Sequence, residues 1–133
     1  MSAPVSNHGG LPGNWELLYP SKYLRASDVT ELFGGGANMT ISHVARERVL
    51  RPKGGEFVVA PVVYFEEVDK LCESKKMERK RLILVKTNSR LIAEATGLSN
   101  PREWTGCIVH VYVNPKIRTQ EGVRPGVRIK KEQ

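Results

Sequence analysis

The chain is 133 residues long, 40% hydrophobic and 26% charged, with 21 Lys and Arg against 14 Asp and Glu for a formal charge of +7 at pH 7. That length suits one domain with a real core, the composition excludes wholesale disorder, and no run approaches the roughly 20 apolar residues of a membrane span. Two cysteines, Cys72 and Cys107, exclude a disulfide framework, and residues 1–14 carry neither the basic start nor the apolar stretch of a secretory signal. The expectation is a soluble, cytoplasmic protein: a loose Ser/Gly/Pro/Asn-rich tail over residues 1–14 and a single domain over 15–133.

The first apolar patch, WELLYPSKY (15–23), is interrupted by Pro20 and reads as a short irregular piece. Ser27 is placed to cap a helical turn through Asp28, Val29, Glu31 and Leu32, which Gly34–Gly36 end. From Met39 the pattern has period two: Met39, Ile41 and His43 share a face, and then Val44 falls on the opposite parity. Such a flip inside a strand is the mark of a bulge or bend. FVVAPVVYFE (57–66) is a second strand in which Pro61 requires an edge or a bulge. Residues 69–80 read as a charged loop or a helical turn, and RLILVK (81–86) as a third, short strand.

Thr87 or Asn88 then caps a helix over 89–96 that Gly97 ends, with Leu91, Ile92 and Ala95 as its apolar stripe. Asn100-Pro101-Arg102-Glu103 is a capped turn. GCIVHVYVN (106–114) is a fourth strand with Cys107, Val109, Val111 and Val113 inward and Ile108, His110 and Tyr112 outward, stopped by Pro115. VRIK (127–130) is a fifth, with Val127 and Ile129 inward and Arg128 and Lys130 outward. Three strands, one helix and two further strands is the element order of a five-stranded OB-fold-like barrel (β-β-β-α-β-β), which binds single strands on its second and third strands and flanking loops.

Several stretches resemble a group of small phage and prophage proteins encoded beside replication and recombination functions. They are VVYFE (62–66), the KTN helix start at Lys86, Thr87 and Asn88, Trp104-Thr105-Gly106 followed by IVHVY (108–112), and GVRI (126–129). The resemblance spans roughly residues 23–130. It departs at Cys107, where the group more often has Lys, and in a longer loop at 75–80. It implies an OB-like protein acting on or near single-stranded DNA in a bacterial host cell.

The charge has the same sense. Residues 1–66 are neutral on balance and residues 67–133 hold the whole +7, an asymmetry that suits a polyanion. Single-strand binding needs cations for phosphates and exposed aromatic rings for bases. The candidates are Tyr64 and Tyr112 for stacking, Arg81, Lys86 and Arg90 around the third strand and helix start, and Lys116, Arg118, Arg124, Arg128 and Lys130 in the last hairpin. The basic loop Lys75, Lys76, Arg79 and Lys80 is diluted by Glu73 and Glu78. Charge and residue type do not distinguish DNA from RNA.

Catalysis and cofactors find no support. There is no nucleophile elbow, no HExxH and no phosphate loop, since Gly34–Gly36 lacks the following Lys-Ser/Thr. Cys107 and His110 are three apart on a strand and point to opposite faces, so they do not chelate one ion. With only nine aromatic Phe, Trp and Tyr residues, the competing expectation is an OB-like interaction module for a replication or recombination protein. A second copy pairing at the fifth strand is a further option.

Overall fold

The computed structural model describes residues 21–50, 55–120 and 122–133; the expected tail, Trp15 and most of the first hairpin loop lie outside the described residues. One antiparallel sheet of five strands organises the described residues, in the spatial order β3 (Leu82–Ile83), β2 (Phe57–Phe65), β1 (Gly36–Leu50), β4 (Ile108–Thr119) and β5 (Gly122–Lys131). β1 (Gly36–Leu50) is central and long, and it divides its pairing. Residues 36–40 pair with β4 (Ile108–Thr119), and from Ile41 onward β1 pairs with β2 (Phe57–Phe65). The register jumps from Ile41↔Phe65 to His43↔Tyr64, so Ser42 is the extra residue of a bulge. This is the parity flip read in the sequence. Met39 and Ile41 face the main core before the bulge and Val44 faces it after.

Pro61 sits inside β2 opposite Arg46. Its carbonyl accepts from the Leu84 N–H at 2.9 Å. The missing N–H would therefore also have faced β3 (Leu82–Ile83), whose ladder with β2 is only Val62↔Ile83 and Val63↔Leu82. Pro115, by contrast, does not stop β4. It falls at a register shift between Asn114 and Ile117, where the Asn114 side chain accepts from the Lys116 N–H at 2.9 Å, and the ladder continues into β5 (Gly122–Lys131). Gly126 makes room there: a Cβ on it would stand 2.8 Å from Ile117 Cδ1.

Three α-helices accompany the sheet where the element order called for one. α1 (Ala26–Phe33) is begun by Asp28, whose carboxylate accepts the Arg25 N–H at 2.8 Å, and Ser27 is buried instead of capping. α2 (Glu66–Ser74) occupies the end of the expected second strand and the start of the stretch expected as a charged loop or a helical turn. Glu66, Glu67 and Asp69 favour its first turn, and Val68 and Cys72, four apart, bury one face. Glu67 docks it on the bend of β1, accepting from Thr40 N at 2.6 Å and Thr40 Oγ1 at 2.9 Å. α3 (Lys86–Thr96) starts three residues early because Asn88 points inward and donates to the Val127 carbonyl at 3.1 Å, tying the helix to β5.

The main core joins Val29, Met39, Ile41, Val63, Phe65, Val68, Ile92, Val109, Val111 and Ile129. Each large side chain removed from water there contributes roughly 1.5–3 kcal/mol. Trp104 belongs to it, with its indole N–H donating to the Leu98 carbonyl at 2.8 Å. A smaller cluster of Val49, Val62 and Tyr64 lies on the other face of β1 and β2. Residues 22–24 run parallel to Arg81 beside β3. Between them and β5, a gap of about 300 Å³ lined by Leu24, Ile83, Val85, Asn88 and Val127 separates the two ends of the sheet. The sheet does not close into a barrel.

Candidate nucleic-acid interface

The outer face of β4 and β5 gathers one group of the expected residues. Cross-strand pairing sets Tyr112 opposite Arg128 and His110 opposite Lys130. The His110 and Tyr112 rings stack at 6.1 Å and 24°, and the Lys130 ammonium lies 4.8 Å from the Tyr112 ring centre. On the other side β1 pairs Gly36 with Tyr112 and Asn38 with His110. Gly36 is required by this approach, since a Cβ there would meet His110 Nε2 and Tyr112 Cβ, both at 3.1 Å.

Asn38 fixes the imidazole. Its Nδ2 donates to the Gln133 carbonyl and its Oδ1 accepts from Gln133 N–H at 3.1 Å, so Oδ1 also accepts from His110 Nδ1 at 2.9 Å. Nδ1 carries the proton and Nε2 stays available. Partial burial, with Lys130 nearby, holds His110 below the ordinary histidine value.

Further along the hairpin, Lys116, Arg118 and Arg124 are exposed on strand residues of β4 and β5, because β4 runs through Pro115. Among the described residues, no ion pair engages Lys116, Arg118, Arg128 or Lys130. Arg128 donates to its own neighbour's carbonyl, Val127 O, at 3.0 Å.

The other expected residues are not part of this face. Tyr64 is only 6% exposed. His43 stacks on it at 4.4 Å and 11°, the Arg79 guanidinium lies 4.2 Å from its centre and that of Arg81 5.1 Å. Its hydroxyl donates to Glu47 Oε2. Burial and that carboxylate push the Tyr64 hydroxyl up to about 12. Burial works to raise Glu47 too, but hydrogen bonds from Tyr64 and Arg81 and the charges of Arg81 and Lys22 outweigh it and hold the carboxyl below its ordinary value. Arg81 bridges Glu47 at 3.0 Å and Glu78 at 3.6 Å. This cluster is a closed, internally neutralised piece of architecture. Arg90 pairs with Glu94 along α3 at 2.6 Å, and Lys86 is exposed on the first turn of α3.

Lys80, read in the sequence as part of a basic loop, is buried with its ammonium 3.6 Å from Asp28 and bonded to the Ser21 carbonyl. His110 was noted in the sequence only for its face and as a failed metal ligand. Its spacing of two from Tyr112 on an outward parity was the signal for a paired-ring platform. Cys107 precedes β4 and contacts the Glu103 carbonyl, well away from the His110–Asn38 pair. Among the described residues no three His, Cys, Asp or Glu side chains converge as a metal site, and no helix is long and apolar enough to cross a membrane. Comparison with protein families, curated proteins and solved structures finds no match to this chain.

Proposed function

We propose that this chain is a non-catalytic, OB-like protein that binds single-stranded DNA on the outer face of β4 and β5. Its setting would be phage DNA replication or recombination in a bacterial host. The observation that carries the reading is the His110–Tyr112 platform, flanked by Arg128 and Lys130, which form no ion pair among the described residues. Rings offer stacking to any base, at about 1–3 kcal/mol per base, and the cations meet the phosphates that follow. Arg124, paired with Ile117, would continue the track along the same hairpin, and Lys116 and Arg118 add charge on the hairpin's other face.

The sheet order supports the OB part of the reading. β1 shared between two partners, with β3 and β5 at the open ends, is the arrangement of a five-stranded barrel short of its last seam. The phage setting is what the sequence resemblance over 62–66, 86–88 and 104–112 adds. The test is fluorescence anisotropy with labelled oligo(dT) and the matching duplex at low and moderate salt. Preference for the single strand and a steep loss with salt are expected. Absence of binding at low salt would sink the reading.

A further inference from the structure

A second surface lies at the opposite end of β1, and it does not depend on the nucleic-acid reading. Past the Ser42 bulge, β1 and β2 continue as a two-stranded arm. One face of the arm carries the smaller cluster, Val49, Val62 and Tyr64 with Ala45, Val58 and Ala60. The other is the continuation of the main-core face. Val44 and Val63 are covered by the core, and beyond them cover runs out. The cross-strand pairs Arg46↔Pro61, Arg48↔Val59 and Leu50↔Phe57 all stand in solvent. Leu50 is 51% exposed, Phe57 59% and Val59 64%, three of the seven large exposed apolar side chains among the described residues.

This arm also has an open edge. The pairing of β4 with β1 ends at Thr40↔Ile108, and Ile41 is bonded to residues 106 and 107; from His43 to Leu50, among the described residues, β1 has a strand partner on the β2 side alone. Along the start of that edge runs a cleft of about 430 Å³, lined by His43, Arg46, Pro61, Asn100, Arg102 and Thr105 with no carboxylate.

We infer that the open edge of β1 over residues 43–50 takes an extended segment of a partner polypeptide by strand addition, the segment carrying acidic side chains two residues apart and an apolar one two residues beyond them. Main-chain hydrogen bonds would supply affinity along about 26 Å of edge. Acidic side chains would stand beside Arg46 and Arg48 and enter the cleft toward Arg102, and an apolar one would cover Leu50. Charge selects this occupant. Two copies of the chain meeting edge to edge about a two-fold axis would set Arg46 and Arg48 against their own kind. A nucleic acid has no backbone to pair with a strand edge, and the face is aliphatic apart from Phe57, whose ring already carries the Arg48 guanidinium at 4.8 Å.

The experiment selects a displayed random dodecapeptide library on the full chain and measures the winners by anisotropy. Winning peptides should carry Asp or Glu two residues apart with Leu, Phe or Trp two residues further along. N-methylation at every second residue should abolish binding in one phase and spare it in the other. Arg46→Glu with Arg48→Glu should weaken the peptides at least about tenfold at unchanged circular dichroism; if that variant misfolds, Arg46→Gln with Arg48→Gln should still weaken them measurably. Winners without acidic bias, indifference to N-methylation or no winners at all would overturn the inference. So would oligo(dT) affinity falling with the Arg46/Arg48 reversal, or self-association lost on Val59→Ser.

Discussion

The molecule contains a similar small assembly twice: a histidine stacked on a tyrosine, with basic side chains over the phenol ring. At His43–Tyr64 the cations are Arg79 and Arg81; at His110–Tyr112 they are Lys130 and, across the strand pair, Arg128. The two differ in what closes them. Glu47 takes the Tyr64 hydroxyl and Arg81, and Asp69 takes Arg79 at 2.7 Å. That leaves the first assembly neutralised, with its tyrosine ring buried. The second has no such carboxylate partner among the described residues, and its ring remains half-exposed. Identical side chains thus make a structural rivet in one place and a candidate landing site in the other, and the deciding element is acidic.

Mutation of the two tyrosines should separate these roles. Tyr64→Ala removes a buried ring from the smaller cluster and leaves Glu47 without its donor. A loss of about 3–5 kcal/mol is expected, read by urea unfolding. A loss under about 1 kcal/mol would mean that the first assembly is no more structural than the second. Reversing Arg128 and Lys130 together to Glu attacks the other side of the comparison. Oligo(dT) affinity should fall by about a hundredfold at low salt, and two lost phosphate contacts should flatten the log–log salt slope by about 1.4. Unfolding free energy should barely change, because neither cation holds an ion pair among the described residues. An unchanged slope would place DNA elsewhere.

The asymmetry explains what could be read from the sequence. Periodicity gave the strand faces, the β1 bulge and the inward set Val109, Val111, Val127 and Ile129, because alternation reports burial directly. It also turned Tyr112, Arg128 and Lys130 outward, and the pairing of the two strands sets Tyr112 against Arg128. It failed where a contact is distant in sequence. Tyr64 and Arg81 look like binding residues until Glu47 is brought to both, and Lys80 looks like loop charge until Asp28 is brought to it. Asn88 and Ser27 carry N-cap chemistry, yet tertiary packing takes both inward and leaves the helix starts to Lys86 and Asp28. Pro115 reads as a strand stop because sequence does not show the bulge that absorbs it.

A finer test uses the ring alone. Tyr112→Ala should cost about tenfold in oligo(dT) affinity, within the 1–3 kcal/mol of one stacked base, while Tyr112→Phe stays close to wild type because stacking needs only the ring. If Phe is as poor as Ala, the hydroxyl is the contact, and the platform is not a stacking surface.

The smallest effect is the pH dependence of His110, and it has opposite signs for folding and for binding. In the folded chain, burial and Lys130 hold His110 below its ordinary value of 6.5. The unfolded chain therefore binds the proton more readily. Stability owed to this residue is fully present above pH 6.5 and is lost as pH falls through the depressed folded value. A bound phosphate favours the imidazolium instead, so oligo(dT) binding should take up a proton and tighten over the same range in which the free protein weakens. The groups around the ring are Asn38 from β1, Lys130 from β5 and Tyr112 on its own strand; Lys130 is the charged one, so the trend belongs to His110 and phosphate. His110→Gln should flatten both curves, and subtracting it from wild type removes the background common to the two proteins. Parallel slopes for stability and affinity in wild type would mean that phosphate never approaches His110, and would move the DNA track outward to Lys116 and Arg118.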